Sequence, residues 1–144
     1  MAQFYFVRNY QFIEHTADIG IRTKGDSLKE LFQNTALAMF DIIAGIPTKK
    51  SKRKEEITIK EKADNIEELF INWLNDLLSL SAVKELVFTN FIIEKLDEHS
   101  IKSICIGEDI KNFKLNTEIK AATYHELKLE QTKSGWQAEV IFDV

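Results

Sequence analysis

The sequence predicts an α+β fold in which two helices pack on one face of a largely antiparallel (mixed) β-sheet, in two layers. Three observations predict it. Two segments begin with a capping signal and continue with apolar residues at three- and four-residue spacing. Extended stretches precede each of them. From Val87 onward the chain is β-branched, aromatic and alternating almost without interruption. The 144 residues suit one domain over 1–144, and 29% charged with 44% hydrophobic residues is the profile of an ordinary globule.

The composition also excludes several classes. No apolar run reaches 18 residues and no basic-apolar-small leader opens the chain, so neither a membrane span nor a secretory signal is expected. The expected compartment is the cytoplasm, or the nucleus in a eukaryote. Cys105 is the one cysteine and stands between Ile104 and Ile106, which rules out an internal disulfide and marks a buried small hydrophobe. A net charge of −4 argues against wrapping nucleic acid by bulk electrostatics, although a local patch could touch RNA.

Phe4 to Val7 and Tyr10 to Ile13 are aromatic and β-branched, which favours extended chain. A second strand follows at Ile19 to Lys24, where apolar residues alternate with Gly20, Arg22 and Lys24. The first helix is announced by Ser27 with Glu30 three residues on, and is closed by Gly45 and Pro47. Its core face runs through Leu28, Leu31, Phe32, Thr35, Ala36, Met39, Phe40, Ile42 and Ile43. Lys49 to Lys54 holds five basic residues in six and reads as a solvated loop, an RNA or acidic-partner contact, or a nuclear localisation run. Glu55 to Lys62 alternates as a short strand. The second helix is expected from Asp64, with Glu67 closing its box, to about Leu80. Ile66, Leu69, Phe70, Trp73, Leu74, Leu77 and Leu78 are its apolar stripe, and Glu67, Glu68, Asn72, Asn75 and Asp76 are its solvated face.

Val87 to Leu96 and Ile101 to Gly107 read as a hairpin joined by Asp97-Glu98-His99-Ser100, with His99 exposed in the turn. Glu108 to Asn116 is a polar loop. In Glu118 to Glu130, strict alternation places Ile119, Ala121, Thr123, His125, Leu127 and Leu129 on one side, so His125 is either a satisfied core histidine or a site residue. After Ser134-Gly135, residues Trp136, Ala138, Val140, Phe142 and Val144 alternate with polar ones, and Asp143 leaves the apolar face.

The stretch that packing does not account for is Glu14-His15-Thr16-Ala17-Asp18-Ile19-Gly20. It brings an imidazole, a hydroxyl and a carboxylate into a short link between strands, and Gly20 permits an approach that a Cβ would block. Two readings stand side by side: a self-bonded Asx or ST turn, or a hard oxygen ligand or acid at Asp18 held at a strand end.

Taken together, Glu14 to Gly20 (EHTADIG), Asn72 to Leu78 (NWLNDLL), Glu118 to His125 (EIKAATYH) and Phe142 to Val144 (FDV) resemble the archease family, in the same order and over almost the whole chain. The resemblance implies a small α+β protein, not itself an enzyme. Its implied role is to assist the GTP-dependent RNA ligase of tRNA splicing, which joins a 2′,3′-cyclic or 3′-phosphate end to a 5′-hydroxyl, by promoting guanylylation and multiple turnover. It further implies a divalent cation, expected to be Ca²⁺, held by Asp18, Asp143 and Val144; such donors are the oxygens that hard cations take. His15, Lys120 and His125 are the candidate partner or activation contacts. The ligase is the implied partner, with RNA contact indirect or weak. In the loop before EIKA the chain carries Lys111-Asn112 where the family often carries a Lys-His pair. Two further classes are a metal-dependent hydrolase or phosphotransferase using Asp18, Asp143 and His15 or His125, and a general chaperone or adaptor. The enzyme class lacks a Ser-His-Asp order, a phosphate-cradling glycine loop and a paired histidine motif.

Overall fold

The computed structural model describes residues 10–13, 18–49 and 54–144. Along the chain these form β1 (Tyr10–Ile13), β2 (Ile19–Gly25), α1 (Leu28–Ile43), β3 (Lys54–Lys62), α2 (Ile66–Lys84), β4 (Leu86–Leu96), β5 (Ser100–Asp109), a 3₁₀ turn (Ile110–Asn112), β6 (Ala121–Thr132) and β7 (Gly135–Asp143). The expected strand at Phe4 to Val7, most of the EHTADIG turn and Lys50 to Arg53 lie outside the described residues.

The α+β expectation of two helices on antiparallel strands holds. The strands, however, divide into two sheets, ordered β1-β2-β7-β6 and β3-β5-β4, and each described ladder is antiparallel. The division follows from connectivity: the β4–β5 hairpin pairs back onto β3, whereas the β6–β7 hairpin returns to β2. Helix α1 packs on β2, β7 and β4, so it spans both sheets, while α2 packs on β6, β3 and β4. One apolar cluster results, with Phe32, Phe70, Trp73, Phe88, Phe91 and Phe142 all buried in it. Phe32 meets Phe70 edge to face at 5.0 Å, and Trp73 meets Phe91 similarly at 5.8 Å.

Both helix starts are capped, one of them a residue later than the sequence predicts. Ser27 Oγ accepts the Glu30 N–H at 3.2 Å. In α2 the cap is Asn65, not Asp64: its Oδ1 accepts the Glu68 N–H at 2.8 Å, and Glu68 reaches back to the Asp64 N–H. An asparagine amide oxygen caps as well as a carboxylate. The helix also runs on to Lys84, past the expected Leu80, because Glu85 takes the left-handed conformation (φ 55) that closes it.

Buried polar groups inside the core are satisfied. Trp73 Nε1 donates to Ser103 Oγ at 2.9 Å, and the hydroxyls of Thr23 and Thr35 lie 2.7 Å apart. Cys105 is fully buried beside Ser103, and burial pushes its thiol up to about 11. His99 is exposed in the hairpin turn. Glu108, expected in a polar loop, instead belongs to β5, where it is buried and its Oε2 accepts from the Thr89 hydroxyl at 3.0 Å. No helix among the described residues is long and apolar enough to cross a membrane.

Candidate functional site

Strand β7 lies between β2 and β6, so its C-terminal end meets the beginnings of both. The β2–β7 ladder runs from Gly25 opposite Trp136 to Ile19 opposite Phe142. One residue beyond that last pair stand Asp18 and Asp143. On the other side Ala121 pairs with Asp143, and the Lys120 N–H donates to the Asp143 carbonyl oxygen at 2.7 Å. Asp18, Asp143, Val144 and Lys120 are thus assembled at one corner of the four-stranded sheet from three separate stretches of sequence.

Side-chain direction at this corner follows from the pleat. Phe142 is fully buried in the core, so its neighbour Asp143 faces the other way and is exposed, while Asp18 is half-buried. Gly20, two residues into the same strand edge, sits where a Cβ would lie 3.2 Å from Ile13 Cβ. The β1–β2 approach is therefore tight at Gly20, but a Cβ there would press on Ile13 by a few tenths of an ångström without being shut out, whereas the sequence reading of Gly20 expects it to be blocked. The donors at the corner are hard oxygens: two carboxylates and the main chain of Val144, a set suited to a divalent cation such as Ca²⁺ or Mg²⁺. Among the described residues no group of three or more His, Cys, Asp or Glu side chains is placed to hold a metal ion. Any ion here would thus rely on two carboxylates, main-chain oxygen and groups from water or a partner.

The other sequence-predicted contacts are distributed unevenly. Lys120 is at the corner and exposed. His15 lies outside the described residues. His125 is not on the apolar side, as strict alternation predicts, but exposed within a bulge. Strand β6 pairs with β7 through Thr123 opposite Ile141, then resumes at Lys128 opposite Glu139, so Tyr124 to Leu127 face Val140 alone. Glu126 has φ 52. This insertion reverses the parity of the strand: Ala122 opposite Phe142 points inward before it, and Leu129 opposite Ala138 points inward after it.

Two residues that sequence reasoning assigned to a solvated face are engaged. Asn75 Nδ2 donates to the Ala122 carbonyl at 3.1 Å, and its Oδ1 accepts the Ala122 N–H at 2.8 Å. The amide thereby supplies the pairing that the outer edge of β6 otherwise lacks, two residues from Lys120. Asp76 is half-buried, and burial, reinforced by a hydrogen bond and charge from Glu61, pushes its carboxyl up to about 7. The available signal was the polar pair Asn75-Asp76 set directly between Leu74 and Leu77. A depression of about 750 Å³, lined by Tyr10, Arg22, Lys24, Glu30 and Trp136, lies at the opposite end of the β2–β7 ladder from Asp18 and Asp143. Size alone therefore does not locate the corner.

Known proteins resemble this chain over nearly its whole length. The profile of the Archease protein family (MTH1598/TM1083) matches residues 10–144. The archease of Methanosarcina mazei is 39% identical over 143 residues, covering 95% of this chain and 97% of its own. That of Pyrococcus furiosus is 37% identical over 144 residues, covering 96% and 100%. Among solved structures, protein 1598 of Methanobacterium thermoautotrophicum superposes with a TM-score of 0.71 at 25% identity, over 96% of this chain and 100% of that one. A Thermotoga maritima protein described as an archease and possible chaperone gives 0.59 at 29% identity, over 92% and 94%. With a family match over nearly its whole length and relatives well above 30% identity, the chain belongs to the archease family.

Proposed function

We propose that this protein is a non-enzymatic activator of the GTP-dependent RNA ligase that joins 3′-phosphate and 5′-hydroxyl ends in tRNA splicing, acting in the cytoplasm through the corner formed by Asp18, Asp143, Val144 and Lys120. The observation that carries the reading is the convergence of Asp18 and Asp143 at neighbouring strand ends, in a chain of the archease family. The register sets Asp18 and Asp143 at neighbouring strand ends, a placement that would let both carboxylates share one hard cation. Asp18, Asp143 and the main chain of Val144 would hold Ca²⁺ or a similar ion, which would supply positive charge at this edge of the sheet. Lys120, anchored by its own N–H to Asp143, extends the same surface as a flexible cation. His15 and His125 are further contacts for the ligase on this reading.

Multiple-turnover ligation with a catalytic amount of ligase, with and without this protein, tests the proposal. Stimulation of ligation is expected with the protein present, and no GTP hydrolysis when the protein is incubated with GTP alone. Unchanged ligase turnover overturns the reading. The chaperone description of the Thermotoga maritima relative gives the second reading its only specific support, and suppression of aggregation of unrelated clients in place of ligase stimulation is the result that favours it.

A further inference from the structure

Three lysines stand in one row across the three-stranded sheet. Lys60 of β3 is directly opposite Lys102 of β5, which is directly opposite Lys95 of β4. All three are exposed, on the face away from the buried Ile59, Ile101, Ser103 and Cys105. Neighbouring strands are about 4.8 Å apart, so the three Cα atoms span roughly 10 Å. Like charges directly opposite one another destabilise a sheet. Among the described residues the row has one ion-pair partner, Glu94, whose Oε1 is 3.4 Å from Lys102 Nζ, with both side chains more than 40% exposed. Exposed pairs of that kind are weak. Lys62, two residues beyond Lys60, joins the row around a shallow depression of about 500 Å³, whose lining also includes one acidic residue, Glu61.

Asp97 also lies within electrostatic reach of Lys95, yet a row of ammonium groups so sparsely neutralised by the described residues, on the face opposite the core, is suited to an extended polyanion. We propose that Lys60, Lys95 and Lys102 bind the phosphate backbone of RNA, a choice of polyanion that rests on the reading of this protein as an RNA-ligase activator. The strip contains lysines and no arginine, so it presents point charges instead of the planar fork that binds carboxylate and phosphate alike in bidentate fashion. It also contains no aromatic ring on which a base could stack, and recognition is therefore of backbone and not of sequence. Because the chain as a whole carries −4, the contact is confined to this strip and is strongly salt-dependent.

The test is fluorescence anisotropy of a labelled RNA hairpin with the full chain alone, from low to physiological salt. Three to four lysines at about 0.7–0.9 per phosphate give a slope of log affinity against log salt of roughly −2 to −4. Each single substitution among K60Q, K95Q and K102Q is expected to reduce the slope by about 1. The triple variant is expected to lose binding while melting no lower than the parent, since it relieves repulsion. The basic run Lys49 to Lys54 is left intact, so its presence cannot mimic that loss. No binding at the lowest salt, unchanged binding by the triple variant, or capture of polyglutamate in place of RNA each overturns the proposal. Because no ligase is present, failure here is distinct from failure of Asp18 and Asp143 to support ligase stimulation.

Discussion

The side chain of Asn75 and the backbone of Ala122 form a two-bond pair, amide to peptide, that ties the middle of α2 to the start of β6. Strand β6 is the outer strand of its sheet at that point, and Asn75 acts there as the missing neighbour. Replacing it with alanine removes both bonds and leaves two partly buried peptide groups to water. A loss of roughly 1–3 kcal/mol is expected in chemical denaturation. Because Ala122 lies two residues from Lys120, the variant should also weaken cation binding at the corner in a calorimetric titration. Asn75→Asp retains the acceptor but sets a carboxylate against the Ala122 carbonyl, and should be no better than alanine.

Asp18→Asn and Asp143→Asn each remove one negative donor with little change of volume. Each should lower Ca²⁺ affinity by tenfold or more, about 1.4 kcal/mol or above, without changing the denaturation midpoint of the metal-free protein. Ligase stimulation should fall in parallel. Calorimetry and turnover assays on the same preparations check this, and full stimulation by both variants in chelator would make the ion irrelevant to activation.

Asp76 gives the protein a specific pH dependence. Its carboxyl stands at about 7 in the fold against an ordinary 3.8, first through burial and then through the hydrogen bond and charge of Glu61. The folded state thus favours the neutral acid. Its contribution is complete below about 3.8 and is lost as pH rises through about 7. The group is partly open to solvent, so screening reduces the effect to on the order of 1 kcal/mol. The substitution Asp76→Asn removes the ionisable group and keeps the shape. The difference in unfolding free energy between D76N and the parent should therefore grow in favour of the variant from about pH 4 to about pH 8, measured by urea titration.

Cys105 should be inert in the native state. Its thiol is fully buried, and at about 11 it leaves roughly one part in a thousand as thiolate at about pH 8. Labelling by a chromogenic disulfide reagent should be negligible over minutes in buffer and immediate in denaturant. Rapid labelling of folded protein would mean that the Trp73–Ser103 region opens readily.

Much of the fold is legible locally because its signals are local. The Ser27 cap, the alternation of Ile57 and Ile59 and the hairpin around Asp97 each depend on neighbours within a few residues. The Asp64 cap fails by one residue because Asn65 and Asp64 are both competent, and only the path of the chain chooses between them. His125 is misplaced for a different reason. A period of two carries no memory across an insertion, and the bulge at Tyr124 to Leu127 reverses which side faces the core. Asn75 escapes because its partner is 47 residues away and is a peptide group, which leaves no mark in sequence. The meeting of Asp18 to Gly20 with the end of β7 was legible only through resemblance to the archease family; the β2–β7 register supplies its physical basis.

The position of β7 bears on how this chain emerges during synthesis. The last of the described strands to be made is an inner strand of its sheet, flanked by β2 and β6. Contacts such as Arg22 with Glu139 join residues 117 apart, so the β7 side of β2 stays open until β7 has been made. The β3-β5-β4 sheet and both helices are complete well before then. A chain truncated before β7 would keep the β3-β5-β4 sheet and both helices and lack the β2–β7 edge at which Asp18 and Asp143 meet.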